Sequence, residues 1–301
     1  MSLERRRFAG DKHLRAALND SKAPDLILSE RSEDGLIATL TLNRRRYFNS
    51  FTTSMWRALR YEIDYLPTDG SVRVVILQGA GPNFSGGADL YELLSIEESL
   101  AHLEGEERKE AATNTSIAYF NLVRNACEAI EGYPFPVIGK LRGSVLGAGN
   151  DLAQACDIRV ADTTVATGVP AGDRGIMLPP HDLRRFILSV GVAHASEIIY
   201  TGDVFNSQDS RRLGQVNRVV EPEQLDEVVW QMAQKITKQS PESLMSAKEG
   251  FRLFKQNPAF TDEDINPDTH YRWAGSENFR EGLAAFREKR RTPVFKPINQ
   301  E

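Results

Sequence analysis

The sequence predicts an α/β fold, and three observations predict it. Short apolar strands alternate with amphipathic helices, two glycine-rich turns each sit between a strand and a helix-like segment, and helical patterns dominate after about residue 180. Leu36 to Leu42 follows an Asp34-Gly35 turn and is β-rich, so it reads as a strand bounded at Asn43. Met55, Leu59, Ile63 and Leu66 then recur on one helical face that Pro67 ends. Val74 to Leu77 is wholly apolar, as in a strand buried on both sides. Glu92 to Thr113, rich in Glu and Ala, reads as a mobile helical excursion. Ile117, Phe120, Val123, Cys127 and Ile130 trace a further amphipathic face that Pro134 and Pro136 break. Val137-Ile138 and Ile158 to Val160 supply more strands. Val228, Val229, Met232 and Ile236, and later Leu283 and Phe286, mark the helical tail.

Composition bounds the function. The 301 residues are 41% hydrophobic and 26% charged, an ordinary globular balance with ample core. Thirty-seven Lys and Arg against 42 Asp and Glu give a net charge of −5, so no overall positive field exists to hold nucleic acid or an anionic membrane. Two cysteines, Cys127 and Cys156, are too few for a disulfide scaffold or a zinc cluster, and no metal is expected. No run of about 18 apolar residues offers a membrane span. The basic start lacks the apolar stretch of a secretory leader, and Glu4, Asp11 and Asp20 interrupt the basic residues that a transit peptide needs. The expected location is cytoplasmic, with an organellar matrix as the other option.

The chemistry concentrates in the turns Gly79 to Leu90 and Gly143 to Leu152. Small residues at a strand-to-helix turn leave backbone N–H groups bare, and a helix N-terminus adds positive potential, so two such turns side by side can form an oxyanion hole. Neither turn has the G-x-x-x-x-G-K-[ST] phosphate loop or a dinucleotide fingerprint, which disfavours nucleotide chemistry.

Over roughly Leu26 to Phe295 the chain resembles the crotonase superfamily, also called the enoyl-CoA hydratase/isomerase family. The matching segments, in order, are Leu40 to Arg44, Phe84 to Leu90, Pro136 to Ile138, Gly147 to Asp157, Tyr200 to Asp203, Gly214 to Val220, Ser240-Pro241 and Glu281 to Arg290. The resemblance implies a ClpP/crotonase-like spiral of ββα units over 26–222, after an N-terminal extension at 1–25. A C-terminal helical trimerisation region at 223–301 would assemble a homotrimer or homohexamer. It also implies a coenzyme A thioester as substrate, with no further cofactor. The thioester carbonyl would sit between the N–H groups of Ala88 and Ala148, with Arg46, Phe48, Gly86, Gly147 and Lys289 contributing to substrate and coenzyme A binding. For Arg46, inside Arg44-Arg45-Arg46, a solvated basic face is the competing reading. Trp273 reads as a core tryptophan, with adenine stacking as the alternative.

Hydratases of this family use two glutamates. Here the first position holds Asp151 and the second holds Ala171, while Pro179 replaces a glycine whose N–H helps to hold water. The text around Asp151 locally resembles Δ3,5-Δ2,4-dienoyl-CoA isomerases. Asp151 is therefore the expected catalytic carboxylate, with Asp173 and His181 as candidates for the second acid and Asp182 next along the loop. Double-bond isomerisation is the favoured reaction. A hydratase or lyase with a relocated acid, a carbon–carbon hydrolase of β-diketones, and a non-catalytic paralogue are the alternatives.

Overall fold

The computed structural model describes residues 26–298; the expected N-terminal extension at 1–25 lies outside them. The chain winds through four similar turns, each passing from a strand in a first sheet to an extended stretch in a second layer and then to a helix. The first comprises β1 (Ile27–Arg31), β2 (Ile37–Leu42), extended Phe51 and α1 (Thr53–Asp64). The second comprises β3 (Val74–Gly79), the segment Ser85 to Ala88, α2 (Leu90–Ser99) and α3 (Gly105–Gly132). The third runs β4 (Val137–Leu141), β5 (Ser144–Leu146), α4 (Ala148–Ala155), and the fourth β6 (Ile158–Asp162), β7 (Ala166–Gly168), α5 (Pro180–Thr201). β8 (Val204–Phe205), α6 (Ser207–Arg212) and β9 (Arg218–Val220) follow, then α7 (Leu225–Thr237), α8 (Pro241–Gln256), α9 (Pro267–His270) and α10 (Glu277–Arg287).

The first sheet has the order β1-β2-β3-β4-β6-β9, with only β1 antiparallel to its neighbour. The second is β5-β7-β8, and a parallel bridge from Ser85 to Val145 extends it into the preceding turn of the spiral. A further bridge joins Phe51 to Ala88. The central strands β2, β3 and β4 are mainly apolar on both faces because helices cover both. Leu40, Val75, Leu77 and Val137 pack in one cluster with Trp56, Leu59 and Ile130 from α1 and α3. On the other face Ile37, Val74, Ile76, Ile138 and Val160 meet Leu225, Val229 and Ala233 of α7. The first helix of the C-terminal region thus closes the sheet.

Three sequence expectations change. The excursion at 92–113 is α2 plus the start of α3, and α3 continues unbroken through the amphipathic stretch expected separately, for 28 residues. The strands β5, β7 and β8 have two or three residues each, too few for any periodicity to register. Trp273 is no core residue: it is 59% exposed and packs edge-on to Phe279, ring centroids 4.9 Å apart. Among the described residues no helix is long and apolar enough to cross a membrane.

Candidate active site

The two glycine-rich turns meet where the second layer begins. A Cβ on Gly87 would lie 2.6 Å from the Leu146 carbonyl oxygen and 3.5 Å from the Ala148 nitrogen, and one on Gly149 would lie 2.7 Å from Ser85 Cβ. Only glycine permits that approach, and Gly87 also sits at φ 97°. The backbone donors of the first turn are then consumed almost completely. Phe84 N–H donates to Arg142 O, Ser85 to Ser144 O, Gly86 to Phe48 O, Gly87 to Ser85 Oγ and Asp89 to Phe51 O. Ala88 N–H is the exception, with no acceptor among the described residues. In the second turn Leu146 N–H goes to Ser85 O and Gly147 N–H to Gly168 O, whereas Ala148 opens α4 and its N–H has no intrahelical partner. Two unengaged N–H groups on facing turns are therefore available to a ligand oxygen.

Both border one cavity of about 540 Å³, which Gly86 and Gly147 also line. One wall is apolar, built from Leu93 and Ile96 of α2, Leu100 just past its end, and Phe120 and Val123 of α3; Ile176, Met177 and Leu178 form another. Asp151 lines the cavity from the first turn of α4. Its side chain is buried, and both carboxylate oxygens accept from a single nitrogen, Nη1 of Arg185, at 2.8 and 2.9 Å. Arg185 turns its other edge to Glu131, with Nε 2.9 Å from Oε1 and Nη2 3.4 Å from Oε2. Cys127 Sγ stands 3.8 Å from Asp151 Oδ2, and Asp182 Oδ1 lies 3.8 Å from the same Arg185 Nη1 without a hydrogen bond.

Three carboxylates thus surround one guanidinium. Burial pushes the Asp151 carboxyl up, and Arg185 pulls it back without fully offsetting that. Asp182, also buried and lining the cavity, is pushed up to about 7 by burial first and by the Asp151 charge second, against Arg185 and Arg124. Burial also raises the Cys127 thiol, which keeps it a neutral donor.

The structure brings Asp151, Ala88, Ala148, Gly86 and Gly147 together at this cavity. It does not bring Asp173 or His181 there. Asp173 lies exposed in a 3₁₀ turn, and its neighbour Arg174 instead reaches the cavity, donating to Pro170 O. His181 is half-buried outside the lining with its Nε2 unpartnered, and burial, then Arg124 and Arg185, lower its pKa. Ala171 lines the cavity as a methyl group. Phe48 is exposed at the edge of the first turn, where a Cβ on Gly86 would meet its Cβ at 3.3 Å, and Arg46 is exposed two residues earlier. Lys289 is exposed past the end of α10, outside the cavity lining. Sequence reasoning missed Glu131 and Arg185, the groups that hold Asp151. The available signal was the Asp182-Arg185 spacing of three, which puts both on one helical face. Asp89 caps α2 by accepting from Glu92 N–H and pairs with Arg44.

Two unengaged backbone N–H groups beside a buried carboxylate, at the junction of repeated ββα turns, form a site able to receive a ligand oxygen that gains negative charge. Comparison with known proteins supplies the family. A model of the enoyl-CoA hydratase/isomerase family matches residues 32–297. The 2,3-dehydroadipyl-CoA hydratase of Escherichia coli is 29% identical over 272 residues, 90% of this chain and 98% of its own. The short-chain-enoyl-CoA hydratase of Clostridium acetobutylicum is 28% identical over 88% of this chain and 96% of its own. A crystal structure of an enoyl-CoA hydratase/carnithine racemase from Magnetospirillum magneticum superposes with a TM-score of 0.79 at 32% identity, covering 91% of this chain and 96% of that one. The chain belongs to the enoyl-CoA hydratase/isomerase family, whose members act on acyl-CoA thioesters, and it has the crotonase fold.

Proposed function

We propose that the protein isomerises the double bond of an enoyl-CoA thioester, with Asp151 moving a proton at carbon and the Ala88 and Ala148 N–H groups holding the enolate oxygen. The observation that carries this reading is the pairing of those two unengaged donors with Asp151 in one largely apolar cavity, to which Ala171 contributes a methyl group and no carboxylate. Isomerisation needs a carbon base and a stabilised enolate but no bound water. Burial keeps Asp151 basic enough to take a proton, while Arg185 fixes both of its oxygens in place.

The names of the relatives favour a second reading, hydration of the same double bond. The two are separated by incubating the protein with 2-enoyl, 3-enoyl and 3,5-dienoyl-CoA and following ultraviolet absorbance and product mass. Isomerisation gives a product of unchanged mass and shifted absorbance; hydration gives a product heavier by one water. Neither product, together with no thermal protection by any coenzyme A thioester, overturns the acyl-CoA assignment. At 100 times its dissociation constant a bound thioester should add about 2.7 kcal/mol of stability. Arg46, Phe48 and Lys289 belong to this proposal as coenzyme A contacts. So does assembly into a homotrimer or homohexamer, which light scattering reads directly.

A further inference from the structure

We propose that Asp182 is a second catalytic carboxylate of this site, sharing one acid proton with Asp151 across the Arg185 guanidinium and standing in for the group absent at Ala171. The inference rests on the reading of the cavity as an acyl-CoA site.

The geometry sorts the three carboxylates around Arg185. Glu131 takes two of its donors and Asp151 takes Nη1 with both oxygens, so two carboxylates are held as anions by hydrogen bonds. Asp182 is left over. Its Oδ1 is buried, makes no hydrogen bond, and sits 3.8 Å from the nitrogen that already serves Asp151. Three anions on one cation, two of them buried, are costly, and a proton on the unbonded one is the cheapest neutralisation. Asp182 and Asp151 both line the cavity, whereas Glu131 does not.

The charges acting on Asp182 come from three helices: Arg124 of α3, Asp151 of α4 and Arg185 of α5, with the Cys127 thiol of α3 in the same cluster and Glu131 of α3 on the other edge of Arg185. Arg124 and Arg185 favour its anion; burial and Asp151 oppose it and leave it near neutrality.

The chemistry balances within this pair. Asp151 carboxylate removes a proton from one carbon of the acyl chain, and the C–H electron pair enters the thioester enolate. The enolate π electrons then take the Asp182 proton at another carbon, restoring the carbonyl and moving the double bond. Asp151 is now protonated and Asp182 ionised, and transfer of that proton from Asp151 to Asp182 returns the site to its start. No water and no co-reactant are consumed.

The test separates deprotonation from reprotonation. Exchange of the α-proton of a saturated acyl-CoA in deuterium oxide needs Asp151 alone, whereas turnover of an enoyl-CoA needs both groups. In Asp182→Asn, turnover should fall by about 10²-fold or more while exchange changes by less than about threefold. The limb of the wild-type pH profile near neutrality should vanish, and Asp182→Glu should restore part of the rate. Turnover retained within about threefold, or turnover and exchange lost together, overturns the proposal. The proton is also read without substrate, which distinguishes this failure from failure of the acyl-CoA reading. Ligand-free wild type should show a protonated-carboxyl infrared band that titrates near neutral pH and is missing in Asp182→Asn; its absence from wild type overturns the assignment of the proton.

Discussion

Two buried charge clusters meet at the C-terminal turn of α3, one residue apart, and they are built on opposite plans. At Ile130, Lys248 Nζ donates to the backbone carbonyl at 3.2 Å and pairs with Asp157, which also accepts the Val137 N–H at 2.8 Å. One cation meets one anion, and the cluster lies outside the cavity lining. At Glu131, one guanidinium faces three carboxylates, two of them on the cavity wall, and one buried oxygen has no hydrogen bond. A balanced, closed pair ties α8 and the loop before β6 to α3. An unbalanced cluster open to a cavity keeps a proton exchangeable, and such frustration is expected where chemistry happens.

The comparison can be broken experimentally, beginning with the largest effect. Asp151→Asn should lower kcat by about 10²–10⁴-fold with the fold intact by circular dichroism, because the carbon base is lost. Lys248→Met should do the reverse, costing about 3–5 kcal/mol of stability by stranding Asp157 while leaving kcat of the folded fraction unchanged. Denaturant titration and kinetics on both variants decide whether the clusters are functionally distinct. Ala148→Pro removes one proposed oxyanion donor at the first position of α4, where helices accept proline, and should cost about 10²–10³ in kcat without a matching loss of stability.

A smaller effect concerns pH. The folded-state pKa of Asp182, about 7, lies above its ordinary 3.8, so protonation of this group favours the folded state. That contribution is complete below the ordinary value and is lost as pH rises through about 7. Asp182→Asn, free of this titration, should therefore become the more stable protein above neutrality, by of order 1–3 kcal/mol, with no such gain near pH 4. Thermal unfolding at several pH values measures it. Smallest of all, Asp173→Asn should change stability by less than about 0.5 kcal/mol and leave kcat unaltered, since its carboxylate is exposed.

Much of this was legible in the sequence, for physical reasons that can be named. The parallel strands announce themselves because burial on both faces demands unbroken apolar runs such as Val74 to Leu77. The two turns are visible because Gly87 and Gly149 tolerate no side chain. Asp151 is singled out by the family resemblance, two residues after the last glycine of the second turn, and it lines the cavity. What holds Asp151 is harder to see, since Glu131, Asp151 and Arg185 belong to three helices and meet only after the spiral closes. The same distance in sequence hid the choice among Asp173, His181 and Asp182: the 3₁₀ turn at Gly172 to Arg174 turns Asp173 outward, while the start of α5 puts Asp182 against the cavity.

One feature of the fold bears on how such a protein changes over time. A single stripe of α3, from Ala112 through Thr115, Ser116, Tyr119, Phe120 and Val123, forms a wall of the cavity, and the same stripe continues four residues at a time to Cys127 and Glu131 in the charge cluster. The helix is about 40 Å long, so its early turns are remote from its late ones. Inheritance can therefore act on the two ends separately. Substitutions at Ala112, Thr115 or Ser116 reshape the space offered to a substrate tail while the proton-handling end stays fixed, which makes the first half of this rod the natural register in which descendants of the protein acquire new diets.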